Sequence, residues 1–197
     1  VYFLKPVLHI TWEYPPYVVG SLSQELRKTL APLAEQVPVN LVVRADSDGT
    51  AEVDGMKVFK VAQSIMSSPH VLAYAHVLNI DLVRGASKAI HESGGVSLVH
   101  CHDWISSLAG VYISSNFCLP LVISVYSTEL TRTRGLSTLL SMGIFDLEKH
   151  CLRRADAIVA DLSLAKSLSN DYGVDLGKIF SNGDDLVKLY SRWAMRW

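Results

Sequence analysis

Short runs rich in Val and Ile recur along this chain, and each is followed by a stretch whose apolar residues fall at helical spacing. Residues 6–12, 39–43, 58–61, 96–100, 120–125, 157–160 and 178–180 read as strands. Continuous apolar runs of this kind suit strands covered on both faces. Between them, Leu22, Leu26, Leu30 and Leu33 mark one helix, for which Ser21 and Gln24 have the form of a capping box. After Pro69, a longer one carries Leu72, Ala75, Leu78, Leu82, Ala86 and Ala89 and is closed by Gly94-Gly95. Residues 104–116, residues 163–172 and the stripe Leu140, Ile144, Leu147 and Cys151 supply three more. Residues 46–55 read as a polar turn region. Such alternation predicts an α/β fold, a Rossmann-like, doubly wound, mostly parallel sheet of about six or seven strands with right-handed crossovers. No repeat or internal linker interrupts residues 1–185, which are expected to form one domain, followed by an amphipathic tail over 186–197.

At 197 residues the chain is long enough for one α/β domain with a substantial core, and 49% apolar residues fit a sheet buried on both faces. A formal net charge of -1 offers no basic field for nucleic acid. Cys101, Cys118 and Cys151 are an odd, scattered set without a CxxC, which argues against a disulfide framework. No apolar run reaches membrane-spanning length and no signal-peptide pattern opens the chain. Stable membrane insertion is therefore not expected, and the cytoplasm is the expected compartment. Val1 in place of Met fits a processed chain or a piece of a longer one.

In open α/β sheets, ligands bind beyond the carboxyl ends of the strands where the strand order reverses. Two loops are expected to meet there if the strands over 6–12 and 96–100 are neighbours. One runs from Glu13 through Pro15-Pro16 to Gly20 and Ser21, a stiffened turn that delivers backbone N–H groups to a helix start, a seat that favours phosphate. The other is Cys101-His102-Asp103-Trp104, which offers an imidazole, a carboxylate and an indole in three consecutive positions. An imidazole can donate to a sugar hydroxyl, and an indole gives sugar rings an apolar face. Ser127-Thr128-Glu129 follows the next strand and reaches toward the same crevice.

Plainer readings stand beside these. His100, Cys101, His102 and Asp103 hint at a metal, but Cys101 points away from its neighbours on a strand and no second ligand cluster is visible, so no metal is expected. His9 and His100 read as buried, hydrogen-bonded groups, Trp12 as core packing, and Glu148 as a structural carboxylate paired with a base. Gly20 serves equally as a turn glycine, and Glu129 equally as a surface charge. In the tail, Leu186, Leu189, Trp193 and Trp197 share one face and Lys188, Arg192 and Arg196 another. Packing on its own domain is the preferred reading, with a membrane surface or a partner as alternatives.

Taken together, the motifs resemble the glycogen- and starch-synthase-like glycosyltransferases. The loop from His9 to Ser23 looks like that family's opening. His102-Asp103-Trp104 with Ala109-Gly110 looks like its HDW…AG segment. Ser127-Thr128-Glu129 with Arg132 looks like HSTE…R, and Glu148, Ala155-Asp156, Tyr172-Gly173-Val174 and Lys178-Ile179 like its E…AD…YGV…KI series. Asn182-Gly183 matches the start of NGVD, and the order holds from Pro6 to Asp185. Departures are Ser21 for the second loop glycine, Tyr126 for the histidine of HSTE, Asp184 within NGVD, and Val18 where bacterial members carry lysine, as in archaeal-type relatives.

The resemblance implies the N-terminal, acceptor-side half of a two-domain GT-B enzyme. Such enzymes transfer glucose from ADP- or UDP-glucose to an α-1,4-glucan with retention, without metal or other cofactor. It implies His102 as the residue contacting the transferred sugar, and Gly20 with Ser21 as the approach to the diphosphate. Asp103, Trp104, Thr128 and Glu129 would line the substrate crevice. The family's basic pair and donor-side Glu motif belong to its second domain, so this stretch alone is expected not to turn over and to bind donor weakly. The alternative is a catalytically silent glycan- or nucleotide-binding domain. An uncovered inter-domain face is expected to be sticky, with a homodimer as one outcome.

Overall fold

A computed structural model describes residues 5–65 and 68–194 of the 197. Its strands are β1 (Val7–Thr11), β2 (Val39–Ala45), β3 (Gly49–Val53), β4 (Met56–Ala62), β5 (Val99–His102), β6 (Leu121–Val125), β7 (Ala157–Ala160) and β8 (Ile179–Ser181). They form one sheet in the order β3-β4-β2-β1-β5-β6-β7-β8. Every pairing is parallel except β3 with β4. The helices are α1 (Leu22–Ala34), α2 (Val71–Glu92), α3 (Trp104–Phe117), α4 (Glu129–Thr133), α5 (Leu139–Leu152), α6 (Ala165–Asn170) and α7 (Leu186–Ala194). This is the Rossmann-like α/β sheet that the strand–helix alternation predicts.

Side-chain alternation along the buried strands splits the apolar residues into two cores. Leu8, Ile10, Val99 and Cys101 face α2 and α3 on one side, while Val7, Leu41, Val43 and Leu98 join Leu26, Leu30 and Leu33 of α1 on the other. Helix α3 lies close on the sheet because Gly110 has no side chain: a Cβ there would run into the Cys101 sulfur.

Four local expectations are corrected. Residues 46–55 are not simply a polar turn. They contain β3, which pairs antiparallel with β4 at the sheet edge and brings the strand number to eight. Its alternately half-exposed side chains hid it, because only one face meets the protein. The strand read over 96–100 lies at Val99–His102, so His102 ends a strand and is not a loop residue. Helix α4 was not foreseen; its signal is the reciprocal capping of Thr128 and Thr131. Finally, α1 starts after Ser21 as expected, but the Ser21 side chain makes no capping hydrogen bond.

The tail helix α7 lies on the α1 side of the sheet, with Leu189 and Tyr190 buried and Trp193 packed beside them. Arg192 places its guanidinium 4.5 Å from the centre of the Phe180 ring. Arg196 and Trp197 fall outside the described residues. Since Tyr190 is fully buried, Tyr190→Ala should destabilise the fold by about 3–5 kcal/mol in urea denaturation. A change within error would mean that α7 does not pack on its own domain in solution.

Candidate functional site

The strand order reverses between β1 and β5, which pair in parallel with Leu8 opposite Val99 and Ile10 opposite Cys101. The two loops expected to converge leave the carboxyl ends of these neighbours. The loop after β1 turns at Tyr14, whose N–H and C=O pair with Tyr17 across the cis Pro15–Pro16 peptide. It then folds back over Glu13, a residue only 1% exposed. One Glu13 carboxylate oxygen accepts from the Val19 and Gly20 N–H groups, each at 2.7 Å. These charge-assisted bonds hold the two residues before the N-cap and bring a carboxylate near the positive end of α1, but they do not reach the first-turn amides that a Ser21 cap would serve. No ion pair to Glu13 is found among the described residues. The Gly20 amide is thus already engaged. The next amides, those of Ser21, Leu22 and Ser23, have no acceptor among the described residues.

On the other loop, His102 is 1% exposed. It shares a sheet face with His100, two residues earlier, and with His9 on β1. The His102 Nε2 lies 2.8 Å from His9 Nδ1, and its Nδ1 3.2 Å from the Tyr126 hydroxyl. The His100 and His102 rings stack with centres 4.4 Å apart. His100 is held on one nitrogen by the Tyr190 hydroxyl from α7 and on the other by Ser124 Oγ at 2.8 Å. Burial keeps all three imidazoles neutral. It pushes His102 down to about 3, and His9 and His100, which also feel His102, well below the ordinary histidine range.

The expectation of no second ligand cluster does not survive: His9 joins the β5 pair, and one nitrogen from each of the three lies within 4.8 Å of the others. As they stand, His9 and His102 are bonded to one another, His102 also to Tyr126, and His100 to Tyr190 and Ser124, so five of the six ring nitrogens are spent on protein partners. Of the six ring nitrogens only His9 Nε2 lacks a partner among the described residues, and the buried Trp12 Nε1 nearby in sequence lacks one too.

Asp103 has φ +66° and ψ 163°, a region almost reserved for glycine and costing about 1–3 kcal/mol. Its N–H donates to Ser124 O, while its carbonyl accepts from Ser107 Oγ at 2.8 Å, so both sides of the bend are tied down. Burial pushes the Asp103 carboxyl up to about 6, against the Trp104 N–H and Arg132 and with the charges of Glu148 and Glu13. Trp104 is part-buried against the core, and the Arg132 guanidinium lies 5.8 Å from its ring centre.

Thr128 and Glu129 are both buried and held internally. Thr128 caps α4. Glu129 pairs with Arg132 at 2.9 Å, and Arg132 reaches Glu148 at 2.6 Å. Glu148 also accepts from the Glu129 N–H and from the Tyr172 hydroxyl at 2.8 Å, the paired structural carboxylate expected of it. Thr128, Asp103, Trp104 and Glu148 surround a cavity of about 10 Å³, room for a water and not for a sugar. Sequence reasoning gave Glu13 no role of its own, because it lies nine residues before α1 and only the fold of the turn brings it near the helix start. It also assigned Tyr126 no role beyond a departure from pattern.

These groups set a pH dependence. The depressed histidines contribute stability that is present above about pH 6.5 and lost as the pH falls, because the unfolded chain takes up protons that the folded one refuses. Asp103 works in the opposite sense: its raised carboxyl favours the folded state in acid, and that contribution is lost as the pH rises through about 6. Acidifying from about pH 6.5 to 4.5 should therefore lower stability by about 1.4 kcal/mol per pH unit for each net proton. Asp103→Asn removes the opposing proton and should steepen this fall in denaturation curves taken across the window. An unchanged or shallower slope would contradict the raised Asp103 carboxyl.

Comparisons with known proteins agree with this architecture. The model of Glycosyltransferase Family 4 matches residues 19–183. An uncharacterised glycosyltransferase of Methanocaldococcus jannaschii is 27% identical over 191 residues, covering 95% of this chain and 46% of the relative. A glycogen synthase of Mycobacterium tuberculosis is 24% identical over 206 residues, covering 92% of this chain and 49% of the relative. The chain thus spans about half the length of the curated relatives it matches. In fold it is similar to sucrose-phosphate synthase from Thermosynechococcus elongatus, with a TM-score of 0.68 at 14% identity over 90% of this chain and 47% of that one. No described helix is long and apolar enough to cross a membrane. The fold is the Rossmann-like domain of GT-B glycosyltransferases, and the chain belongs to glycosyltransferase family 4.

Proposed function

We propose that this chain is the acceptor-side half of a retaining, glycogen-synthase-like enzyme that moves glucose from ADP- or UDP-glucose to an α-1,4-glucan. The observation that carries the reading is the meeting of the Glu13–Ser21 loop and the His102-Asp103-Trp104 segment at one sheet switch point. The glycogen synthase among its relatives supports the substrate class. In this reading the unpartnered amides of Ser21 and Leu22 receive the departing diphosphate at the positive end of α1, with Gly20 and Glu13 shaping the approach. The family resemblance puts His102 on the sugar side of the crevice, with Asp103, Trp104, Thr128 and Glu129 framing its surroundings. Catalysis would rest on positioning and on stabilising the leaving group, with no metal and no other cofactor. The free cysteines suit a cytoplasmic setting.

One observation favours the second reading, a catalytically silent glycan- or nucleotide-binding domain: both His102 nitrogens are already engaged and the ring is buried. In either case the chain alone is expected to be inactive. Incubation with a sugar nucleotide and a maltooligosaccharide should give no sustained glucosyl transfer, while tryptophan fluorescence should report weak binding of the oligosaccharide and little affinity for the nucleotide. Sustained transfer, or tight binding of the nucleotide, would overturn the acceptor-side assignment.

The rim of the crevice is apolar. Val18 and Val19 after β1, and Tyr126, Leu139 and Leu140 after β6, are all exposed, Leu139 to 88%. We assign this rim as the face that packs against a second domain or a second copy. For the isolated chain, light scattering at high concentration should show a dimer; a strict monomer would count against pairing through it.

A further inference from the structure

We infer that Tyr126, rather than Trp104, is the aromatic platform on which a sugar ring packs in this crevice, and that His102 acts behind it as a positioning residue. This deepens the glycan-acceptor reading and rests on it. The sequence alone offers Trp104 for the role, since an indole in the second loop is the obvious apolar surface. Its geometry removes it. Trp104 is packed against the core from one side, and the Arg132 guanidinium stands over its ring. Arg132 is in turn fixed by Glu129 and Glu148, so it is not free to swing away.

Tyr126 is placed differently. It follows the carboxyl end of β6, is 43% exposed, and its ring centre lies 6.5 Å from that of His102 at the end of β5. It therefore stands beside the second loop at the same edge of the sheet. Its hydroxyl is tethered 3.2 Å from His102 Nδ1, and His102 is braced 2.8 Å from His9 and stacked on His100. A ring that is exposed along its flank yet anchored at its hydroxyl end has little rotamer freedom left to lose when a ligand packs on it. Sugars present C–H groups on one face and hydroxyls around the rim, so such a ring suits them better than a mobile side chain does. His102, with one nitrogen on Tyr126 and the other on His9, has none left for the sugar itself. Its part is to hold the phenol in place.

The test is calorimetric titration of the full chain with maltoheptaose, alongside Tyr126→Ala and Tyr126→Phe. Loss of the ring should weaken binding by about tenfold or more, whereas loss of the hydroxyl alone should cost about two- to threefold. Because Tyr126→Phe removes a single oxygen from an exposed side chain, it also serves as the folding control. In ¹⁵N spectra of the imidazoles it should move the His102 Nδ1 resonance and leave those of His100 unmoved, a change that a general loss of structure does not produce. Binding by Tyr126→Ala within about twofold of the parent chain overturns the inference and leaves the acceptor reading standing. Equal losses in the two variants also overturn it, since the effect would then run through the hydroxyl and not the ring. A parent chain that binds no maltoheptaose sinks the inference and the acceptor reading together.

Discussion

Parallel pairing of β1 with β5 is the constraint on which the rest of this molecule depends. Their residues come from positions about ninety apart in sequence, yet His9 and His100 are direct cross-strand partners, and His102 reaches back to hydrogen-bond His9. The pairing sets the strand-order reversal, and the reversal opens the crevice. It also decides which way each loop leaves the sheet. Shift β5 by one residue and His100 and His102 pass to the opposite face, away from His9, Ser124 and Tyr190. The polar stack and the crevice are therefore one feature seen from inside and outside the sheet.

Charge is managed within that frame by local amides more than by ion pairs. Glu13 is nearly inaccessible, yet two backbone N–H groups at 2.7 Å and the start of α1 stabilise it. Glu148 follows a mixed scheme, with an amide, a phenol and a guanidinium around one carboxylate. Between them stands Asp103, strained in its backbone and least favourably placed as an anion, since burial outweighs its single amide and the distant Arg132. Three acids near one crevice thus sit in three different environments. Asp103 is the one whose carboxyl burial pushes up to about 6.

Much of the architecture was legible in the sequence because buried parallel strands and amphipathic helices write their periods locally. The alternation of Val- and Ile-rich runs with helical stripes located nearly every element, and the convergence of the two loops followed from it. Where the reading slipped, the deciding contact was not local. Strand β3 has one exposed face and exists because β4 is beside it. The Ser21 cap looked sound in isolation, yet its side chain makes no capping bond, and the turn before it is held instead by a carboxylate eight residues earlier. His102 looked like a loop histidine until pairing with β6 extended its strand and His9 and Tyr126 closed over it. Identity of residue types was visible throughout. Their competition for the same few amides and hydroxyls was not.

The tail links these themes. Tyr190 of α7 is fully buried with its hydroxyl on His100; His100 stacks on His102, and His102 holds Tyr126 at the crevice. A helix on the far flank of the sheet is therefore joined, through three side chains in contact, to the exposed ring where a ligand would arrive. None of those contacts is an ion pair, so salt would screen little of the coupling. Each depends instead on a neutral imidazole presenting the right tautomer, and the chain of hydroxyls and ring nitrogens can be satisfied in only a few proton arrangements. Protonating His102 would give it two donors at once, forcing His9 to accept on Nδ1 and leaving a charge buried beside two other imidazoles. Burial disfavours that charge on all three rings, so the neutral, hydrogen-bonded arrangement joining the helix, the stack and the crevice is the one the fold accommodates.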